Sequence, residues 1–377
     1  MSYLPDYITW RGDLPFAADP ANDLDTLVMA ALSYIDLPAE TQVFAQCAKS
    51  VPPDDPDDHF RGECRRLLQQ IAKSSRFGAL TVRDAVSVLN DEIQFAAMTV
   101  DLPDGTHIIA FRGTDGSLTG WREDFAMSFE SPVPAQAAAQ KYLEHHLTQD
   151  AGDVIVTGHS KGGNLAVYSA AKSSGEIQER IVAVHNNDGP GFAWDISETP
   201  GHKRIASRIH TILPQTSVVG MLMEHEKRYQ VVHSTYDGLY QHDGFSWQVL
   251  GTQFVHLDDF SREGKLVDET LSSWADSLNT QQREALADAL YSVFTASGAK
   301  TLSELTEEKL KSAAAMLKTY KNLDRETRRM VTEAFMLFFK LGTKNFVLDT
   351  QEEGSREIEN IRKKISEQYQ KLVERKK

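Results

Sequence analysis

The chain predicts an α/β fold, a mostly parallel sheet with helices on both faces, followed by a helical C-terminal extension. Three observations carry this. The β-branched run Val154-Ile-Val-Thr157 stops at Gly158-His-Ser-Lys-Gly162, and a helix-forming run starts directly after it with Gly163-Asn-Leu-Ala166. A second strand-like run, Ile181 to His185, follows that helix, and strand, helix and strand in alternation imply parallel strands covered by helices. Beyond about residue 262 the spacing is helical throughout. The 377 residues, 41% hydrophobic and 25% charged, suffice for one large α/β domain with an appendage, so residues 1–261 are assigned to the first and 262–377 to the second.

Along the chain, Leu24, Leu27, Val28, Ala31, Leu32 and Ile35 recur at helical spacing behind Asn22-Asp23, predicting a capped, core-facing helix from Asp23 to Tyr34. The acidic, proline-rich stretch Pro52-Pro-Asp-Asp-Pro-Asp-Asp58 breaks any regular pattern and reads as a surface loop. Ile93 to Val100 and His107 to Phe111 read as strands joined by the turn Leu102-Pro-Asp-Gly105, a hairpin. A helix over Ala135 to Leu147 precedes the strand at Val154, a helix from Gly163 to Ser173 follows it, and the strand Ile181 to His185 ends at Asn186-Asn-Asp-Gly-Pro-Gly191. In the extension, Ser303-Glu-Leu-Thr-Glu-Glu308, Arg325 to Leu341 and Ile358 to Leu372 carry apolar residues at helical spacing. Met330, Phe335, Met336, Phe338 and Phe339 have two readings, packing into a small helical core or covering an acyl pocket, and the first is the expectation.

Charge excludes one class of partner. A net charge of −14 repels nucleic-acid phosphates unless a basic patch is segregated, and only the tail from Ser355 on, with eight Lys or Arg against four Glu, supplies such a patch. That tail reads as a solvated face, with anionic lipid or a partner protein as the alternative. Cys47 and Cys64 are too few for a disulfide framework and fit a reducing compartment. Met1 to Trp10 has neither a basic start nor an apolar h-region, and no apolar run reaches transmembrane length, so a cytoplasmic protein is expected.

Ser160 sits between two glycines where the strand run meets the helix run. A serine at so sharp a turn needs neighbours without Cβ atoms two residues either side, and Gly158 and Gly162 meet that need. The helix start beyond it aims backbone N–H groups and a partial positive charge at the same spot, where an oxyanion would form. The arrangement reads as a nucleophile elbow. A second cluster lies upstream, Ala110-Phe-Arg-Gly-Thr114 with Trp121 and Asp124, at the carboxyl end of a predicted strand, where ligands gather in open α/β sheets.

Phe111-Arg-Gly-Thr114 with Trp121 and Asp124, followed by Gly158-His-Ser-Lys-Gly-Gly163, resembles the fungal-type triacylglycerol lipases (class 3 lipases) of the α/β-hydrolase superfamily. Trp10-Arg-Gly-Asp13, Asn187-Asp-Gly-Pro-Gly191 and Gln241-His-Asp243 are similar to an uncharacterised bacterial branch of that group, and the likeness runs over roughly residues 1 to 255. The resemblance implies that Thr114 gives its backbone N–H, and its hydroxyl, to an oxyanion hole completed by the Lys161 backbone N–H. It also implies that Asp124 orients Thr114. The Lys161 side chain is expected to be solvated.

A nucleophilic serine needs a base, and the base an orienting acid. His242 is the first candidate base, because Gly238-Leu-Tyr-Gln-His242 is loop-like and resembles the lipase segment in which the histidine is soon followed by an aromatic; His225 and His256 are the alternatives. The acid departs from the class 3 pattern. Ser217 stands where those lipases carry the aspartate, so Asp188, at the end of the strand after the elbow helix, is assigned, with Asp243 and Asp237 as alternatives.

The expected activity is therefore cleavage of a carboxylic ester, of a lipid or fatty acyl substrate, by Ser160, His242 and Asp188, with no metal or cofactor. Two other readings stay open: a hydrolase-fold binding or scaffold protein without turnover, and thioester, phospholipid or acyl-transfer chemistry at the same site.

Overall fold

A computed structural model describes residues 2–55, 58–296 and 309–341. Its centre is a nine-stranded sheet. The strands are β1 (Gln42–Val43), β2 (Thr81–Leu89), β3 (Gln94–Asp101), β4 (His107–Phe111), β5 (Val154–His159), β6 (Ile181–Asn187), β7 (Ile209–Pro214), β8 (Tyr229–Val232) and, after the small hairpin β9 (Val249–Leu250) and β10 (Gln253–Phe254), β11 (His256–Leu257). They lie side by side in the order β1 to β8 and then β11. From β4 to β8 every neighbour is parallel, whereas the β1 to β4 margin and β11 are antiparallel. The parallel sheet expected from the alternation of elements thus occupies the middle, and antiparallel strands extend it on both sides.

The period of two along each strand divides the core. Met98, Val100, Ile108, Ala110 and Ile155 face one way, toward helices α1 (Leu4–Arg11), α2 (Asp23–Leu32), α3 (Phe44–Ser50) and α4 (His59–Ile71). Their neighbours Phe95, Ala97, Ile109, Phe111, Val154 and Val156 face the other way, together with α6 (Pro134–Gln149), α7 (Lys161–Lys172), α8 (Gly175–Glu179) and α9 (Pro200–Ile205). Between them in sequence, α5 (Leu118–Ala126) follows β4 directly and lies at the carboxyl end of the parallel strands. The start of α2 is as its sequence signals: the Asn22 side chain accepts from the Leu24 and Asp25 N–H groups. Behind it a buried pair joins three segments, with Arg76 on Asp25 and the Tyr7 hydroxyl donating to Asp25 Oδ1 at 2.7 Å.

The predicted hairpin is present as β3 and β4, paired from Asp101 opposite His107 to Ala97 opposite Phe111. Residues 52–55 of the proline-rich stretch are irregular, and Cys47 and Cys64 are free and buried. After β11 come α10 (Arg262–Asp276), α11 (Thr280–Thr295), α12 (Lys309–Asn322) and α13 (Arg325–Leu341). Met330, Val331 and Ala334 of α13 pack with Leu286, Ala289 and Leu290 of α11, and Phe125 of α5 packs against the same cluster. Met330 therefore belongs to a small helical core, and Met336 is half-buried. The side chains of Phe335, Phe338 and Phe339, and the predicted helices at 303–308 and 358–372, lie outside the described residues. Among the described residues no helix is long and apolar enough to cross a membrane.

Candidate active site

Ser160 follows β5 and caps the N-terminus of α7, with φ 59° and ψ −134°. A non-glycine residue at positive φ is uncommon and costs on the order of 1–3 kcal/mol, so the surrounding packing has to impose it. The glycines show how. A Cβ on Gly158 would collide with the Gly162 backbone, and one on Gly162 with the Phe111 carbonyl oxygen at the end of β4. Strand β5, helix α7 and strand β4 therefore close on the turn more tightly than any side chain permits.

Asp188 directly follows β6, also at positive φ (52°), and is fully buried. Its Oδ2 accepts the His242 Nδ1 proton at 2.7 Å. Its Oδ1 accepts from the Ser217 hydroxyl and, at 3.2 Å, from the Gly220 N–H. Ser217, which departs from the class 3 pattern, thus contacts Asp188 directly. Asn164 of α7 fixes the turn beyond Asp188 by donating to the carbonyls of Pro190 at 3.1 Å and Gly191 at 2.7 Å.

His242 ends a single 3₁₀ turn, and its side chain is 25% exposed while its partner is sealed from solvent. The Trp247 indole holds that turn from below by donating to the Gln241 carbonyl at 2.8 Å, and Gln241 Oε1 accepts from the Thr216 N–H beyond β7. The His159 ring stacks on His242 with centroids 4.6 Å apart. Burial pushes the His159 imidazole down to about 3, so it is neutral across the physiological range. Its Nε2 faces the His242 carbonyl at 2.7 Å, which can only accept, so that nitrogen carries the proton and Nδ1 accepts from the Tyr34 hydroxyl at 3.1 Å.

The alternatives lie elsewhere. His225 sits beside the Met223 carbonyl, and His256 is exposed on the marginal strand β11. Asp237 is exposed ahead of the 3₁₀ turn, and Asp243 accepts from the Phe245 N–H rather than from His242.

The β4 end reaches the same place. A Cβ on Gly113 would touch Ser160 Cβ at 3.0 Å, which puts the Gly113–Thr114 backbone against the serine. The Thr114 hydroxyl lies 2.7 and 2.6 Å from the two Asp124 oxygens. Burial raises the Asp124 carboxyl to about 6, against the pull of Lys161 and of the Thr114 hydroxyl. Lys161 corrects an expectation. Its side chain is 1% exposed rather than solvated, and its ammonium meets Glu123 Oε2 at 2.9 Å, because the start of α7 is covered by α5 and by the start of β3. Tyr34, Gln94, Glu123 and His159 were not singled out from the sequence, and their contacts span 38 to 125 residues with no local pattern to reveal them. Among the described residues, no group of three or more His, Cys, Asp or Glu could hold a metal ion.

A serine at a strained strand-to-helix turn at the carboxyl end of a parallel sheet, with a histidine paired to a buried aspartate just past the end of the next strand, is the architecture of the α/β-hydrolase fold. The chain belongs to the Mbeg1-like family, whose model matches residues 71–292, more than half of its length. Among solved structures it is similar to M37 lipase (16% identity over 53% of this chain and 70% of the other, TM-score 0.37). A mutant form of MDLA from Penicillium cyclopium is similar at 14% identity over 64% and 88% (TM-score 0.38), and the Rhizomucor miehei lipase with its propeptide at 14% over 56% and 68% (TM-score 0.28). No curated protein sequence matches the chain.

Proposed function

We propose that the protein is a serine hydrolase that cleaves a carboxylic ester of a lipid or other fatty acyl substrate through an acyl-enzyme. The observation that carries this reading is the 2.7 Å contact from His242 Nδ1 to a buried Asp188, next to a serine held at φ 59°. With Nδ1–H committed to Asp188, His242 keeps Nε2 as the basic nitrogen. Ser160 Oγ attacks the ester carbonyl while its proton passes to His242 Nε2. The tetrahedral oxyanion takes hydrogen bonds from the Thr114 and Lys161 backbone N–H groups, and the imidazolium then protonates the departing alkoxide. Water, deprotonated by the same nitrogen, attacks the acyl carbonyl, the bond to Ser160 Oγ breaks as the imidazolium returns its proton to that oxygen, and the acid leaves. Asp188 holds the imidazole throughout, its other oxygen fixed by Ser217 and Gly220.

An apolar acyl group is favoured by what flanks the histidine and the acid. Val218, one residue beyond Ser217, is buried with Val267 and Leu271 of α10, and Leu222, Leu239 and Leu337 pack against them. This cluster joins the loop before His242 to the C-terminal helices, the surface along which we place the acyl chain and, through the same helices, contact with a lipid surface. Fluorophosphonate labelling tests the reading. The wild type is expected to label at Ser160 and to hydrolyse an acyl ester, and Ser160→Ala to lose both; wild-type labelling no better than that of the alanine variant would favour a scaffold without turnover.

A further inference from the structure

The oxyanion hole draws on the Lys161 backbone alone, yet the side chain is the most heavily engaged cation at the site. Its ammonium donates to Glu123 Oε2 at 2.9 Å, to the Gln94 carbonyl at 2.8 Å and to Gln94 Oε1, three acceptors for three protons. Glu123 is itself buried, and it also accepts from the Ala135 N–H at 2.7 Å, at the start of α6, and from the Gln94 N–H at 3.3 Å. Gln94 Nε2 in turn donates to the Gly113 carbonyl at 3.3 Å. One closed network therefore joins the helix start behind Ser160 to the residue before Thr114 and to α5, which carries Asp124.

A buried ion pair is weak evidence of added stability, since well-packed apolar residues of similar volume often serve at least as well. We propose that the Lys161 side chain is a positioning residue. It fixes the oxyanion loop through Gln94 and α5 through Glu123, and it keeps Asp124 ionised so that Asp124 can accept the Thr114 hydroxyl and turn Thr114 toward the reacting carbonyl. The proposal rests on the hydrolase reading above.

Electrostatics gives the proposal a sign. Burial raises the Asp124 carboxyl; Lys161 of α7 and His242 of the loop after β8 lower it, while Glu123 on α5 itself raises it. Tyr34, at the end of α2, also faces Asp124 and is held neutral by its own burial. On the far side of α5, helix α11 presents Arg283 to the Ser128 carbonyl and Asp288 to Arg122. Neutralising Lys161 must push Asp124 toward protonation at higher pH, and neutralising Glu123 must do the opposite. A merely structural pair would give both variants the same defect.

The experiment compares Lys161→Met and Glu123→Gln with the wild type. Fluorophosphonate labelling and ester hydrolysis are followed from pH 4 to 9, and the Asp124 carboxyl is titrated by ¹³C NMR. Lys161→Met is expected to move the Asp124 titration and the acidic limb of the rate upward by about one pH unit, and Glu123→Gln to move both downward. If Lys161→Met does not fold, Glu123→Gln alone decides, and an upward or absent shift overturns the proposal. Loss of rate in both variants with an unmoved Asp124 titration also overturns it. A wild type that never labels overturns the hydrolase reading and this proposal with it, whereas a labelling wild type with unmoved titrations overturns this proposal alone.

Discussion

Asp188 makes the sharpest demand of any residue in the site. It is fully buried, carries a positive φ and spends both oxygens on fixed donors, which suits a carboxylate that must aim an imidazole. Asp188→Asn keeps the shape but offers His242 Nδ1 an amide that can turn its donor toward it, which favours the wrong tautomer. The variant is expected to fold with an unchanged circular dichroism spectrum and to lose about 10⁴-fold in kcat. A folded variant with a wild-type rate would remove Asp188 from the reaction. Legibility at this scale followed locality. The serine between glycines and the Gly113-Thr114 pair sit in short motifs that a linear reading can find. Lys161 could not be read, because lysine is rarely fully buried and its acceptors arrive from Gln94 and Glu123, 67 and 38 residues away.

At the scale of elements, β5, α7 and β4 act as one piece. Alanine in place of Gly162 should gain about 1 kcal/mol of helix propensity, but its Cβ would meet the Phe111 carbonyl oxygen, a backbone atom that cannot swing away. Crowding a packed site costs on the order of 1–3 kcal/mol, so the clash is expected to win. Gly162→Ala should therefore lower Tm in a thermal melt and cut fluorophosphonate labelling more steeply than stability. A raised Tm with intact labelling would show that the three elements have slack. The near-continuous apolar runs of β3, β4 and β5 made those strands legible, since each is buried on both faces by helices. Strand β2 was not read, because beyond Val82 its side chains are half-buried or exposed, Val86, Val88 and Leu89 among them, and such a run has no core pattern to show. The helical spacing of Arg325 to Leu341 was legible in full, whereas what that helix packs against was not, since Leu286 and Phe125 lie far away in the chain.

For the whole molecule, the question is what the C-terminal helices do for the site. Removing residues 262–377 takes away Val267, Leu271 and Leu337 from the apolar cluster and strips Phe125 of its cover. The truncated protein is expected to keep hydrolysis of a short, soluble ester and to lose it on long-chain or micellar substrates, measured side by side. Equal loss on both would make the helices a support for the α/β body, and equal retention would remove them from substrate binding. Helix α5 carries a further consequence. One side of it holds Glu123 and Asp124 toward the serine, while Arg122 lies 3.8 Å from Asp288 and beneath the Tyr291 ring, both on α11. Two binding events then share a single lever. Whatever grips α11 more tightly when α5 is seated must, by thermodynamic reciprocity, seat α5 more firmly when it binds, and a ligand that prefers the helices parted must weaken the binding of any substrate that needs α5 seated by the same free energy that this substrate takes from the ligand's own affinity.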